Sequence, residues 1–187
     1  MLANVSMNNR RESNVQKHTP PGWLEEADFS QAVQALPLVS VDLVVVNPIG
    51  EMLLGLRRNA PARNWWFTPG ARVRKNEAFA RALQRVISSE LGSSNTLMRC
   101  QPQLMGVWDH FYDESAFSSQ VGTHYVNLPH VLRLNHLLDV HALPNDQHSQ
   151  WRWQAPSMAA SAQDVHPYVS VYAQWLLDHA QDMIPVC

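Results

Sequence analysis

The stretch from Gly70 to Gly92, GARVRKNEAFARALQRVISSELG, constrains this chain more than any other. It reads as a glycine turn, a basic segment and a helix that stops at a second glycine. Phe79, Leu83, Val86, Ile87 and Leu91 recur at three- and four-residue steps, which predicts one core-facing helical stripe. Asn76 is the expected N-cap, Glu77 suits the positive end of the helix dipole, and Gly92 suits the left-handed residue that ends many helices. Glu77, Arg81 and Arg85 follow at four-residue steps on another face. For Arg81 the reading is a solvated, salt-bridged surface. Glu90 and Arg85, lying between the two glycines, are read as functional residues.

Composition limits the rest. The chain has 187 residues, 45% of them hydrophobic, enough for one domain with a sizeable core. A formal charge of −2 and a pI near 6.5 give no electrostatic case for nucleic acid or a membrane surface as partner. Cys100 and Cys187 lack metal-ligand spacing, so both are read as incidental and the expected setting is a reducing, cytoplasmic one. Residues 1–21 are polar and end in Thr19-Pro20-Pro21, without the apolar run of a secretory signal, and are expected to be a flexible extension. The domain is then 22–187.

Trp23 to Leu36 carries apolar residues at loose helical spacing, and Pro37 ends that helix. Leu38–Val46 is rich in β-branched residues, Asn47-Pro48-Ile49-Gly50 is a turn, and Glu51–Leu56 returns as a strand. Asp42 interrupts the first of these strands. A carboxylate there is usually an edge or capping residue, and one turned into a pocket is costly without a hydrogen-bonding partner. Trp65–Pro69 is a short strand and loop. Leu104–Asp113 and Thr123–Leu128 are expected strands, and 130–143 holds an insertion or short helix. Gln150–Trp153 is a further strand, and Pro167–Met183 a closing helix.

Arg57 and Arg72 flank the turn at Gly70, and forked guanidinium groups converging there suit a diphosphate. Arg58, Arg63 and Arg74 are read as solvated. In the loop Pro144–His148, Gln147 offers a neutral oxygen to a hard cation, and His148 a ring able to accept a proton near neutral pH. His110, His124 and Tyr125 fall in strands, where a histidine is more often structural than catalytic.

The spacing of 70–92 resembles a Nudix box, a Gly and a Glu followed by Arg-Glu-x-x-Glu-Glu-x-Gly. The tail here is Arg85, Val86, Ile87, Ser88, Ser89, Glu90, Leu91, Gly92, so Val86 and Ser89 replace two carboxylates of the usual cation cluster. The segments PLVSVDLVVVN, GEMLLGLRRN, WWFTPGARVRKNE, SSELG, GVWDHFYD, THYV and PNDQHSQWRW together resemble the GDP-mannose mannosyl hydrolase family of Nudix proteins. The resemblance implies an α/β Nudix fold, with a mixed sheet sandwiched between helices, and a homodimer. It also implies Mg²⁺-dependent hydrolysis of GDP-mannose, and of GDP-glucose, to GDP and free sugar, with water attacking sugar C1 with inversion. Carried over position by position, one Mg²⁺ per site, or Mn²⁺, is held by the Gly70 carbonyl, Glu90 and Gln147. His148 is the general base, Arg57 and Arg72 take charge on the departing diphosphate, and Tyr125 assists through its hydroxyl. Arg85, Asp42 and His110 match substrate-binding positions. Relatives show two glycines where this chain has Gly70-Ala71, and Ala71 makes a positive φ costlier. Two rivals are a Nudix diphosphatase cleaving a P–O bond of a nucleotide sugar and a non-catalytic nucleotide-binding module.

Overall fold

A computed structural model describes residue 22 and residues 24–179 of the chain. The expected extension 1–21, Trp23 and residues 180–183 of the expected closing helix lie outside the described residues. No described helix is long and apolar enough to cross a membrane.

The apolar run predicted as the first strand is the centre of the sheet. After a helix over Glu26–Ala35 (α1), strand β1 covers Leu38–Val46 and is buried from Ser40 to Val46. Such a run, without polar alternation, belongs to a strand covered on both faces. Val41, Leu43 and Val45 face one core and Val44 and Val46 the other, so Asp42 shares the second face. Strands β2 (Met52–Arg57), β3 (Trp66–Phe67) and β4 (Gly70–Arg72) follow. Helix α2 (Phe79–Leu91) and helix α3 (Asn95–Arg99) come next, then strands β5 (Gln103–Leu104), β6 (Trp108–Tyr112), β7 (Thr123–Arg133) and β8 (His148–Gln154). Helices α4 (Pro156–Ala159) and α5 (Pro167–Asp178) complete the described chain.

The sheet is mixed and eight-stranded. β1 runs parallel to β7 from Leu38↔Tyr125 to Val46↔Arg133, while β2 and β4 pair with β1 antiparallel. That long parallel ladder explains why β7 continues to Arg133, past the expected end at Leu128. The 130–143 stretch is otherwise loop with one 3₁₀ turn at Val140–Ala142. Val86, Ile87 and Leu91 of α2 pack with Leu97 on one face of the sheet, and Val169, Tyr172, Ala173 and Leu176 of α5 on the other. The sheet therefore lies between helices, as expected.

Four local expectations need correction. α2 begins at Phe79, with Ala78 as its N-cap, because Asn76 has φ 62° and an N-cap needs an extended backbone. Glu77 is therefore outside the helix, and its carboxylate instead accepts from the Arg74 N–H at 2.9 Å. Phe79, the first residue of α2, is 38% exposed, and Ala82 takes its place in the core. Cys100 is buried and disulfide-bonded rather than incidental, which removes the argument from idle thiols for a reducing compartment.

Candidate active site

The turn into α2 is fastened from inside the helix. Arg85 donates from Nε and Nη2 to the two oxygens of Glu77 at 2.7 and 2.8 Å, and from Nη2 to the Arg72 carbonyl at 2.9 Å. The guanidinium holds the Glu77 carboxyl below its ordinary range, so the clamp is charged on both sides at neutral pH. Arg85 lines the cleft, yet its fork is directed into this clamp and fixes the backbone that presents Arg72.

β4 runs along β1 with Gly70 opposite Asp42, which brings the sugar-side candidates together. An inner cavity of about 80 Å³ is bounded by Asp42, Arg57, Gly70, Arg72, His110 and Tyr125, with Tyr112 and Asn127. It opens into an outer cleft of about 530 Å³ that adds Arg85, Glu90 and Gln147. Arg57, Gly70, Arg72 and Tyr125 line both, so the two guanidinium groups stand where the spaces meet. A side chain at position 70 would overlap Asp42 Oδ1 and the Val41 carbonyl, so Gly70 is needed for close approach. Ala71 has no positive φ and pairs with Val41 in β4, so the second glycine is not required by this backbone.

The inner cavity ends on a polar network that sequence reasoning missed. Tyr172, fully buried on α5, places its hydroxyl 2.8 Å from Asp42 Oδ2, 3.0 Å from His110 Nε2 and 3.2 Å from Asn127 Oδ1. Asn127 Nδ2 donates to the Ser40 hydroxyl at 2.8 Å. The phenol proton goes to the Asp42 carboxylate, and the phenol oxygen accepts from His110 Nε2–H, which sets the ring's tautomer. Burial raises the Asp42 carboxyl to about 7, with Tyr172 and Arg57 pulling the other way. Burial, with His166 nearby, pushes His110 down to about 4, so this imidazole is neutral, and it stacks on Tyr168 at 3.9 Å. Burial also raises Tyr125, so its phenol remains a donor. The signal for Tyr172 was Asp42 itself, a carboxylate in an apolar strand that demanded a partner; no sequence spacing says which.

His148 lies apart from the cavity walls. It opens β8 opposite Arg57, and its ring is fully buried against Trp151 at 4.4 Å and over Gly55, where a Cβ would come within 2.5 Å of the ring. Its Nδ1 is 3.3 Å from Glu90 Oε2, close enough for attraction, but without hydrogen-bond alignment, and Nε2 has no partner either. Burial lowers its pKa, partly offset by Glu90, so the ring is neutral. Gln147, next in the chain, is exposed and receives a hydrogen bond from Asn59 Nδ2 at 3.3 Å. Trp151 and Trp153 tether the preceding loop through their indole N–H groups to the carbonyls of Pro144 and Leu138.

Among the described residues no three His, Cys, Asp or Glu converge as a metal site. The oxygen donors lining the cleft include the Gly70 backbone, the Glu90 and Asp146 carboxylates and the Gln147 amide. All supply oxygen, and two of them are carboxylates. Such a set suits a hard cation that takes the rest of its shell from substrate and water.

Comparison with known proteins covers most of the chain. A Low-salt glycan biosynthesis protein, Agl8, of Haloferax volcanii is 36% identical over 157 residues, covering 84% of this chain and 93% of that protein. Among solved structures, the NUDIX domain of Shewanella oneidensis NrtR, crystallised with ADP ribose, superposes with a TM-score of 0.59 at 12% identity, covering 84% of this chain and 100% of that one. A MutT NUDIX hydrolase of Burkholderia pseudomallei does so with a TM-score of 0.55 at 24% identity, covering 75% and 98%. These two likenesses establish the shared fold. The model of the NUDIX domain matches residues 36–176, from β1 through the helix that carries Tyr172, and the chain belongs to the Nudix family.

Proposed function

We propose that this Nudix hydrolase cleaves GDP-mannose, and GDP-glucose as a related substrate, to GDP and free sugar, with water attacking sugar C1. The observation that carries the reading is the composition of the cleft: α2 contributes a single carboxylate, Glu90, with Asp146 on the 144–147 loop, and two guanidinium groups line both cavities. A helix that supplies one carboxylate, with Val86 and Ser89 at the other positions, is poorly suited to assembling the cation cluster that activates water against phosphorus. Arginines at the junction are well suited to a diphosphate that leaves. The likeness to a glycan biosynthesis protein agrees with a nucleotide-sugar substrate.

Nudix hydrolases generally use divalent cations such as Mg²⁺ or Mn²⁺. Here Gly70, Glu90 and Gln147 would hold one, and it would supply positive charge beside the β-phosphate. Water adds to C1 from the face opposite the diphosphate as the C1–O bond breaks, and the bonding pair leaves on the β-phosphate oxygen. Arg57 and Arg72 stabilise that developing charge, and Tyr125 donates a hydrogen bond to it. Asp42 and His110 bind the sugar, and two copies of the chain form the working dimer.

A base must take the water proton. His148 is assigned that role, with a conformational requirement: the 144–147 loop has to bring the ring out from behind Glu90, since in this structure the ring does not line the cavity. Asp42 is a second candidate, because it lines the inner cavity and its carboxyl is poised at about 7. Replacing His148 by Gln and Asp42 by Asn separates them: loss of the base lowers kcat about 10²–10⁴-fold and flattens the acid limb of the pH–rate profile. Full activity in His148→Gln removes that residue as base. For the reaction itself, GDP-mannose and Mg²⁺ in ¹⁸O-labelled water should place the label in inverted free sugar. Label in phosphate would instead establish a diphosphatase.

A further inference from the structure

We propose that the pocket at the mouth of the cleft holds the base of the nucleotide and selects guanine through its N1–H and N2–H₂ edge. The inference rests on the nucleotide-sugar reading above. A cavity of about 520 Å³ lies between the start of α1 and the 116–117 loop. Its aromatic wall is Phe29 against Phe117, ring centroids 5.7 Å apart and 74° between planes. The Arg72 guanidinium carbon sits 4.3 Å from the centre of the Phe29 ring. Phe29, Arg72 and Ala116 belong to the walls of both this pocket and the outer cleft, so the two spaces meet at Arg72.

A nucleoside diphosphate has the same order of chemistry. Its anionic diphosphate belongs beside Arg72, which sends the flat base toward the two phenylalanines. Aromatic contact of this kind takes any base. Selection comes from the start of α1, one turn before Phe29, where Glu25 and Glu26 line the pocket with exposed side chains. Neither carboxylate forms a salt bridge among the described residues. A carboxylate accepts two hydrogen bonds side by side. Guanine alone among the common bases offers two N–H donors side by side on its pairing edge. Adenine sets an acceptor beside its donor there and uracil flanks its N–H with two carbonyls, so each would press a lone pair against the carboxylate. The acidic rim also repels phosphate, which fixes which end of the ligand enters the pocket.

The test is titration calorimetry of the full chain with GDP and with ADP, both with Mg²⁺, which needs no turnover. Wild type is expected to bind GDP at least about tenfold more tightly than ADP, and the double variant Glu25→Gln, Glu26→Gln to bring that ratio close to one. Phe117→Ala should weaken GDP and ADP alike by about tenfold, the loss of one stacking partner. Equal affinities in wild type, or an undiminished GDP preference in the double Gln variant, overturn the inference. Both carboxylates are exposed, so the variant folds, and an unchanged unfolding midpoint verifies it. Guanine preference without GDP-mannose hydrolysis would sink the reaction and keep the pocket. Hydrolysis without guanine preference would do the reverse.

Discussion

Removing one oxygen atom, by Tyr172→Phe, tests whether the fold and the inner cavity are joined as described. Phenylalanine keeps the ring and its contact with Trp108, so no cavity is opened. What is lost is the donor to Asp42 Oδ2 and the acceptor for His110 Nε2, in a place where Asp42 is 5% and His110 2% exposed. Each buried group left without a partner costs about 1–3 kcal/mol, and the hydroxyl no longer being desolvated returns part of it. A net loss of about 2–4 kcal/mol follows, which for a chain of this length lowers the unfolding midpoint by roughly 5–15 °C. The loss should depend on pH. Above about 7 the Asp42 carboxyl is ionised and needs the phenol proton; well below it the carboxyl carries its own and Tyr172 can turn toward Asn127. Urea unfolding followed by circular dichroism at pH 5 and pH 8 should therefore show the larger penalty at pH 8. Together with Asp42→Asn in a double-mutant cycle, the coupling should reach about 1–3 kcal/mol. A penalty below about 1 kcal/mol, the same at both pH values, would refute the assigned network.

Gly55→Ala would push a methyl group to within 2.5 Å of the His148 ring and 2.8 Å of Trp151, so it should cost about 1–3 kcal/mol and displace His148 from Glu90. An unchanged midpoint, with Mg²⁺ affinity also unchanged, would show that the socket is loose. Acid stability follows from opposed shifts. The folded chain holds the Asp42 proton up to about 7 against 3.8 unfolded, so acidification from 7 to 4 adds stability through that group. His110 and His166 fall from 6.5 to about 4 on folding, so the same acidification removes stability through each, since the unfolded chain takes protons the fold refuses. The balance is a net loss toward pH 4.5, and Asp42→Asn should steepen it by up to about 1.4 kcal/mol per pH unit. Parallel urea midpoints for wild type and variant from pH 4.5 to 7 would contradict the shifted Asp42.

Some of this protein is written locally in its sequence. β1 is legible because an unbroken apolar run from Val41 to Val46, apart from Asp42, can only be buried on both faces. The core stripe of α2 is legible because burial repeats at helical steps, though its start is not. There a left-handed Asn76 and the Glu77–Arg85 clamp, contacts between side chains eight residues apart, override the capping pattern. Tertiary structure alone decided what completes the site. Tyr172 meets Asp42 across 130 residues because α5 crosses the face of β1 on which Asp42 falls, and a helical period cannot say which strand lies beneath it. It alone also decided that His148, adjacent in sequence to Gln147, is turned into the core while Gln147 faces the cleft. In a strand start, successive side chains point to opposite sides, and only the packing of Gly55 and Trp151 selects which one is buried.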